Sequence, residues 1–145
     1  MKLGIRTKKA CKIARIDPSR FNEMVHAGHF PCAPETRPGS ARIFDLDQTV
    51  ALRIFGSLLS MAVAPERAGY ISCAAYSRFA GRSEISQITY LVNSNGEWRM
   101  DATSHSQLGM PPSLCLTFDI SELREQVGDL AEWELKFGEA SRSHD

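Results

Sequence analysis

The sequence predicts an α+β protein: a winged helix-turn-helix, mainly α with a β wing, followed by a small β-hairpin, strand and helix module. Three observations carry that expectation. The stretch IDPSRF lies between two short helical patterns, as the turn of a helix-turn-helix would. A Pro/Gly-rich segment over residues 31–44 follows and runs into an apolar helix, which is the place of a wing. Alternating, strand-like segments begin only beyond residue 84, after four helical patterns have passed.

Each element has a local cause. Thr7 is placed to cap a first helix running to Arg15, with Ala10, Ile13 and Ala14 on its inner side. Asp17 is a good N-cap for the second helix, and Pro18 fits its first position because a missing N–H costs nothing there. Ile16 and Phe21 have the spacing of a hydrophobic staple. That helix should end at Ala27, since Gly28 can take the left-handed conformation that closes a helix and Pro31 cannot continue one. Over 31–44 a hairpin wing is expected, turning near Pro38 and Gly39 and ending in the strand-like residues 41–44. Asp45 and Gln48 have capping-box spacing at the head of a third helix, whose Val50, Leu52, Phe55, Leu58, Leu59 and Met61 form a broad apolar face. Pro65 opens a fourth helix with Ala68, Ile71, Ala75 and Phe79 on one side.

Residues 1–79 thus make one expected domain and 80–86 a linker, with a second module over 87–138. There ISQITYLV and WRMDA read as strands around an Asn-Gly turn, TSHSQLGMPP as loop and SLCLTFDI as a third strand. Ser121 is placed to cap a last helix to Phe137 that Gly138 closes, and 139–145 is expected to be a disordered tail.

Zero net charge hides an asymmetry. Residues 1–82 carry 13 Lys/Arg against 6 Asp/Glu, and residues 83–145 carry 4 against 11, so a basic, phosphate-facing half precedes an acidic one. The 4 cysteines, Cys11, Cys32, Cys73 and Cys115, are far apart with no C-x-x-C pair, which suggests reduced, mostly buried thiols. Without a signal-peptide core or an apolar run long enough to span a bilayer, a cytoplasmic protein is expected. The usual catalytic motifs are missing from the sequence (no G-x-S-x-G, no phosphate-cradling Gly loop, no H-E-x-x-H), so no enzyme and no cofactor are expected. His26, His29 and Cys32 are spaced at threes, but His29 lies beyond the helix end and no fourth ligand is near, so a metal is not expected.

Helical spacing divides the second helix into two sets: Phe21, Met24 and Val25 for the core, and Ser19, Arg20, Asn22, Glu23 and His26 facing outward. Arg can bond guanine bidentately in a major groove, Asn can do the same with adenine, and Glu can accept from cytosine N4. Arg37 and Arg42, near the expected wing tip, have the chemistry to reach phosphates or a minor groove. Lys8 and Lys9 fall in the first turn of the first helix, where the dipole disfavours cations unless a phosphate docks. On the last helix Leu130, Trp133 and Phe137 form an apolar stripe suited to holding two copies together.

The order of these features, a helix, an I-D-P turn, a helix closing in A-G-H-F-P, and R-P-G-S-A-R-I-F-D-L-D leading into an apolar helix, resembles the DNA-binding domain of MerR-type regulators over roughly residues 5–79. The chain departs from that family at Asn22, Glu23 and Met24, where a basic residue and paired aromatics are common. The resemblance implies a double-stranded DNA-binding transcriptional regulator, a homodimer, with RNA polymerase or a recombinase as a further partner. It also singles out Arg42, two positions before Phe44. An excisionase-like architectural factor and a winged-helix protein-interaction module without DNA binding are the alternatives that the same residues allow.

Overall fold

The computed structural model of the chain describes residues 4–36, 38–102 and 114–142. Its elements in chain order are β1 (Ile5–Arg6), α1 (Thr7–Ala14), α2 (Pro18–His26), β2 (Ile43–Phe44), α3 (Leu46–Ser60), α4 (Pro65–Phe79), β3 (Gln87–Val92), β4 (Trp98–Asp101), β5 (Leu114–Asp119) and α5 (Ile120–Arg142). The class is α+β, with two small antiparallel sheets, β1-β2 and β4-β3-β5.

The helix starts follow from side chains that satisfy orphan N–H groups. Asp17 accepts from the Arg20 N–H at 3.0 Å at the head of α2. Asp45 and Gln48 close a full capping box on α3, at 2.7 and 2.8 Å. At the other end of α2, Gly28 sits at φ +81°, the conformation that lets the chain leave the helix. Thr7 does not cap α1. The N-cap is Arg6, which gives no side-chain cap, and the Thr7 hydroxyl instead donates to the Arg42 carbonyl at 3.3 Å. Helix α5 likewise starts one residue before Ser121, because the Asp119 carboxylate accepts from the Glu122 N–H at 2.9 Å. It also continues through Gly138 to Arg142, so that glycine does not end it and the expected tail is partly helical. Residues 143–145 and the loop TSHSQLGMPP lie outside the described residues.

Among the described residues of 31–44 no hairpin wing forms. Ile43 and Phe44 pair with Arg6 and Ile5, a strand at the other end of the first helix, and not with residues 31–40. The physical reason is burial: Phe44 and Ile5 are both sunk in the core, and pairing them satisfies their backbone while both side chains leave water. Residues 31–42 are then a connecting segment held by side chains, among them the Arg42 guanidinium, which donates to the Pro34 carbonyl.

Helix α3 is the central beam. Val50, Ala51, Leu52, Ile54, Phe55 and Leu58 are buried, and the helix packs against α1, α4 and α5. Phe30 stacks on Phe55 with ring centroids 4.8 Å apart, and Phe21 meets Phe30 edge-on at 5.8 Å. Close backbone approaches rely on glycine: a Cβ at Gly56 would overlap the Ala14 carbonyl oxygen, and one at Gly69 would overlap that of His29.

The acidic half is packed onto the basic half. Ile120, Val127 and Ala131 of α5 are buried in the same core as α1 and α3, Glu134 pairs with Lys12 at 2.9 Å, and Arg53 donates to the Ile13 carbonyl and to Gln126. Residues 80–86 are wired into this packing. Arg124 donates to the carbonyls of Phe79, Arg82 and Ile85 and pairs with Asp47 at 3.0 Å, while Asp47 also accepts from the Gly81 N–H. Of the two ion pairs that join the halves, Lys12–Glu134 follows the charge asymmetry and Arg124–Asp47 runs against it.

Candidate nucleic-acid interface

The fold presents the predicted outward face of α2 together. Ser19, Arg20, Asn22, Glu23 and His26 are all exposed, while Phe21 and Met24 on the opposite face are buried and Val25 is half-buried. Asp17 and Pro18 fix where the helix begins, Gly28 fixes where it ends, and Phe21 anchors it between the rings of Phe30 and Phe44. The result is a nine-residue helix, Pro18–His26, on a rigid base. Asn22, Glu23, His26 and Ala27 border a shallow depression on its surface. The chemistry on offer is two hydrogen-bonding forks, Arg20 and Asn22, with a carboxylate acceptor between them and His26.

Flanking groups divide unevenly. From the end of α2 a cleft of about 580 Å³ runs past His29 and Pro31 to Arg67 and Tyr70 on α4 and Trp98 on β4. Arg67 is exposed and lines that cleft beside Glu66; its residue type allows a phosphate contact from a later helix, although plain solubility is what the sequence favours for it. Lys8 and Lys9 are not part of it: together with Arg6 they border a separate groove of about 600 Å³ shared with Ala131, Glu134 and Leu135 of α5. Arg53 is spent inside the molecule, on α1 and α5. Arg42 is half-buried with its guanidinium on Pro34, so it positions the segment after α2. Arg37 lies outside the described residues.

The apolar stripe on α5 is exposed. Leu130, Trp133 and Phe137 are 39%, 53% and 52% exposed, and Trp133 and Phe137 lie ring to ring at 5.5 Å. The inner face of the helix, Val127, Ala131 and Glu134, is what covers its own chain. Among the described residues no group of three or more His, Cys, Asp or Glu side chains has the geometry to hold a metal ion, and no helix is long and apolar enough to cross a membrane. Cys32, one of the residues weighed as a ligand, is joined to Cys73 in a disulfide, Cα to Cα 5.5 Å, so these two thiols are not the reduced pair expected from their spacing. The chain matches no protein-family model and no curated protein in the comparisons made.

Proposed function

We propose that the protein is a double-stranded DNA-binding regulator of MerR-like type that reads sequence with α2 and works as a homodimer. The observation that carries this reading is the face of α2: five polar side chains with base-reading chemistry, exposed side by side on a helix capped at Asp17 and anchored by Phe21. Arg20 and Asn22 are the base-reading pair, Ser19 and His26 contact the backbone beside them, and Arg67 adds a phosphate contact from α4. A single nine-residue helix reads only a few base pairs, so selectivity calls for a second copy with fixed half-site spacing. The stripe of Leu130, Trp133 and Phe137 supplies the surface for it.

Titration of the full chain against a duplex library at two salt concentrations tests the first part. A selected sequence should emerge, with affinity falling as salt rises at about 0.9 log unit per log unit for each phosphate contacted. Asn22→Ala should then cost about 1–3 kcal/mol on the selected site and little on random duplex. Equal losses on both remove Asn22 from the reading set. A second reading, a protein-interaction module, is favoured by Glu23, whose carboxylate sits in the middle of the face and repels phosphate when unused; no duplex binding at low salt would select it.

The dimer has its own expected outcome. Sedimentation equilibrium should show the wild-type chain as a dimer and both Trp133→Ala and Phe137→Asp as folded monomers, with an affinity loss of at least tenfold, since an interfacial Trp commonly contributes about 2 kcal/mol or more. A monomeric wild type would remove the stripe from the proposal.

A further inference from the structure

We infer that Cys32 and Cys73 are a thiol-exchange site, taking low-molecular-weight thiols and disulfides, whose opening releases the segment that follows the reading helix. The bond joins the turn after α2 to the middle of α4, across 41 residues. Beyond it, residues 33–42 pair with no strand among the described residues; Ala33 packs against the core and Pro34 is buried, and a small set of polar contacts holds the rest. Ala33 N–H donates to the Phe30 carbonyl at 3.2 Å, Arg42 donates to the Pro34 carbonyl, and the Arg42 carbonyl accepts from Thr7. The disulfide is the single covalent tie in that set. Both cysteines are half-buried, so the bond is within reach of a small thiol. Of the remaining cysteines, Cys11 is buried, and that burial, with the charge of Asp17 second, pushes its thiol up to about 11, while Cys115 is an exposed free thiol on β5.

The two sulfurs are not equivalent. The Cys32 N–H points at the Cys73 sulfur, 3.3 Å away, so negative charge on Cys73 has a hydrogen-bond donor already in place. An incoming thiolate therefore attacks the Cys32 sulfur. The new S–S bond forms there, the Cys32–Cys73 bond breaks, and its electron pair leaves on Cys73, which then takes a proton from water. A second thiol attacks the mixed disulfide and frees Cys32 as a thiol. In sum two small thiols are oxidised to one disulfide, and the protein disulfide is reduced to two thiols by two electrons and two protons. Phe30, two residues before Cys32, stays stacked on Phe55 in the core, which confines the loosening to the segment beyond it. Pro31, between Phe30 and Cys32, lines the cleft that runs from the end of α2 toward Arg67, and so the redox state of this pair sets the surroundings of the reading face; this last step rests on the DNA reading.

The test uses the full chain, with dithiothreitol as the reducing probe and oxidised glutathione as the reverse one. Alkylation after unfolding, followed by peptide mass spectrometry, should show Cys32 and Cys73 protected and joined in the oxidised chain, both alkylated after dithiothreitol, and rejoined after oxidised glutathione. Amide hydrogen exchange over 33–42 should rise at least tenfold on reduction while α2 and α3 are unchanged, and Cys32→Ser and Cys73→Ser should exchange at the reduced rate in both conditions. Free Cys32 and Cys73 in the untreated and glutathione-treated chain would overturn the inference. So would exchange over 33–42 that ignores reduction, or reduction that unfolds the whole chain, which would make the bond only a staple. Duplex affinity should fall with reduction in the wild type and not in the serine variants. Loosening of 33–42 in a chain that binds no duplex in either state supports the exchange site and counts against the DNA reading alone.

Discussion

Replacing Gly69 with alanine is expected to destabilise the fold by at least about 3 kcal/mol, the upper end of what overpacking a core costs. Helix propensity alone predicts the opposite sign, since alanine in a helix interior is favoured over glycine by about 1 kcal/mol. Contact geometry decides it. A Cβ at position 69 would overlap the carbonyl oxygen of His29 and lie 2.7 Å from its carbon, and both are backbone atoms that cannot swing aside. Relief requires α4 to move off the 29–30 segment, which would pull at Phe30 and its stack on Phe55. Gly128 in α5 is the matched control, because a Cβ there meets nothing within 4 Å. Gly128→Ala should stabilise by about 0.5–1 kcal/mol through propensity alone. Urea unfolding of the two variants beside wild type would refute the close approach of α4 if both shifted upward.

The second large effect belongs to Arg124. Its guanidinium ties Asp47 and three backbone carbonyls together, lies 5.5 Å from the centre of the Phe79 ring, and is 17% exposed. The carbonyls come from the end of α4 and the turns after it, where a cation also meets the negative end of the helix dipole. Arg124→Ala leaves these acceptors and the Asp47 carboxylate without their donor, and a loss of about 3–5 kcal/mol is expected, as for breaking a largely buried pair from one side. Lysine should recover little of it, because one ammonium cannot reproduce a planar fork serving several acceptors. Denaturant melts of Arg124→Ala, Asp47→Asn and the double variant separate the pair from the carbonyls: a coupling energy near zero with a large single loss would assign the work to the carbonyls, and a single loss below about 1 kcal/mol would remove Arg124 from the role altogether.

The starts of α2 and α3 were legible in the sequence because a cap is made by residues three apart, whereas Thr7 and Ser121, which also read as caps, do not form them. Asp17 with Arg20, and Asp45 with Gln48, form inside one turn whatever the rest of the chain does. The outward face of α2 was legible for the same reason, since helical spacing alone separates Asn22 and Glu23 from Phe21 and Met24. What escaped depends on residues brought together by packing. Ile43 and Phe44 could be read as a strand, but their partners, Arg6 and Ile5, lie before the first helix. Cys32 and Cys73 looked isolated because C-x-x-C spacing tests only near neighbours, and α4 folds back over the turn that carries Cys32. Arg124 gave no signal in the sequence, since nothing local points to Asp47, 77 residues earlier. The lysines of α1 were grouped with the reading helix by charge, whereas the fold turns their groove toward α5.

The burial of Val127 and Ala131 against the first and third helices has a consequence for synthesis. A ribosome releases α2 long before it has made α5, so the nascent chain carries a nearly finished N-terminal half whose apolar side still faces water. Contacts of this sequence separation close slowly and leave partly folded species open to aggregation while they wait. The core thus closes only once α5 has been made, and a product that stops short of Val127 is released with its core uncovered, a natural substrate for chaperones and proteases.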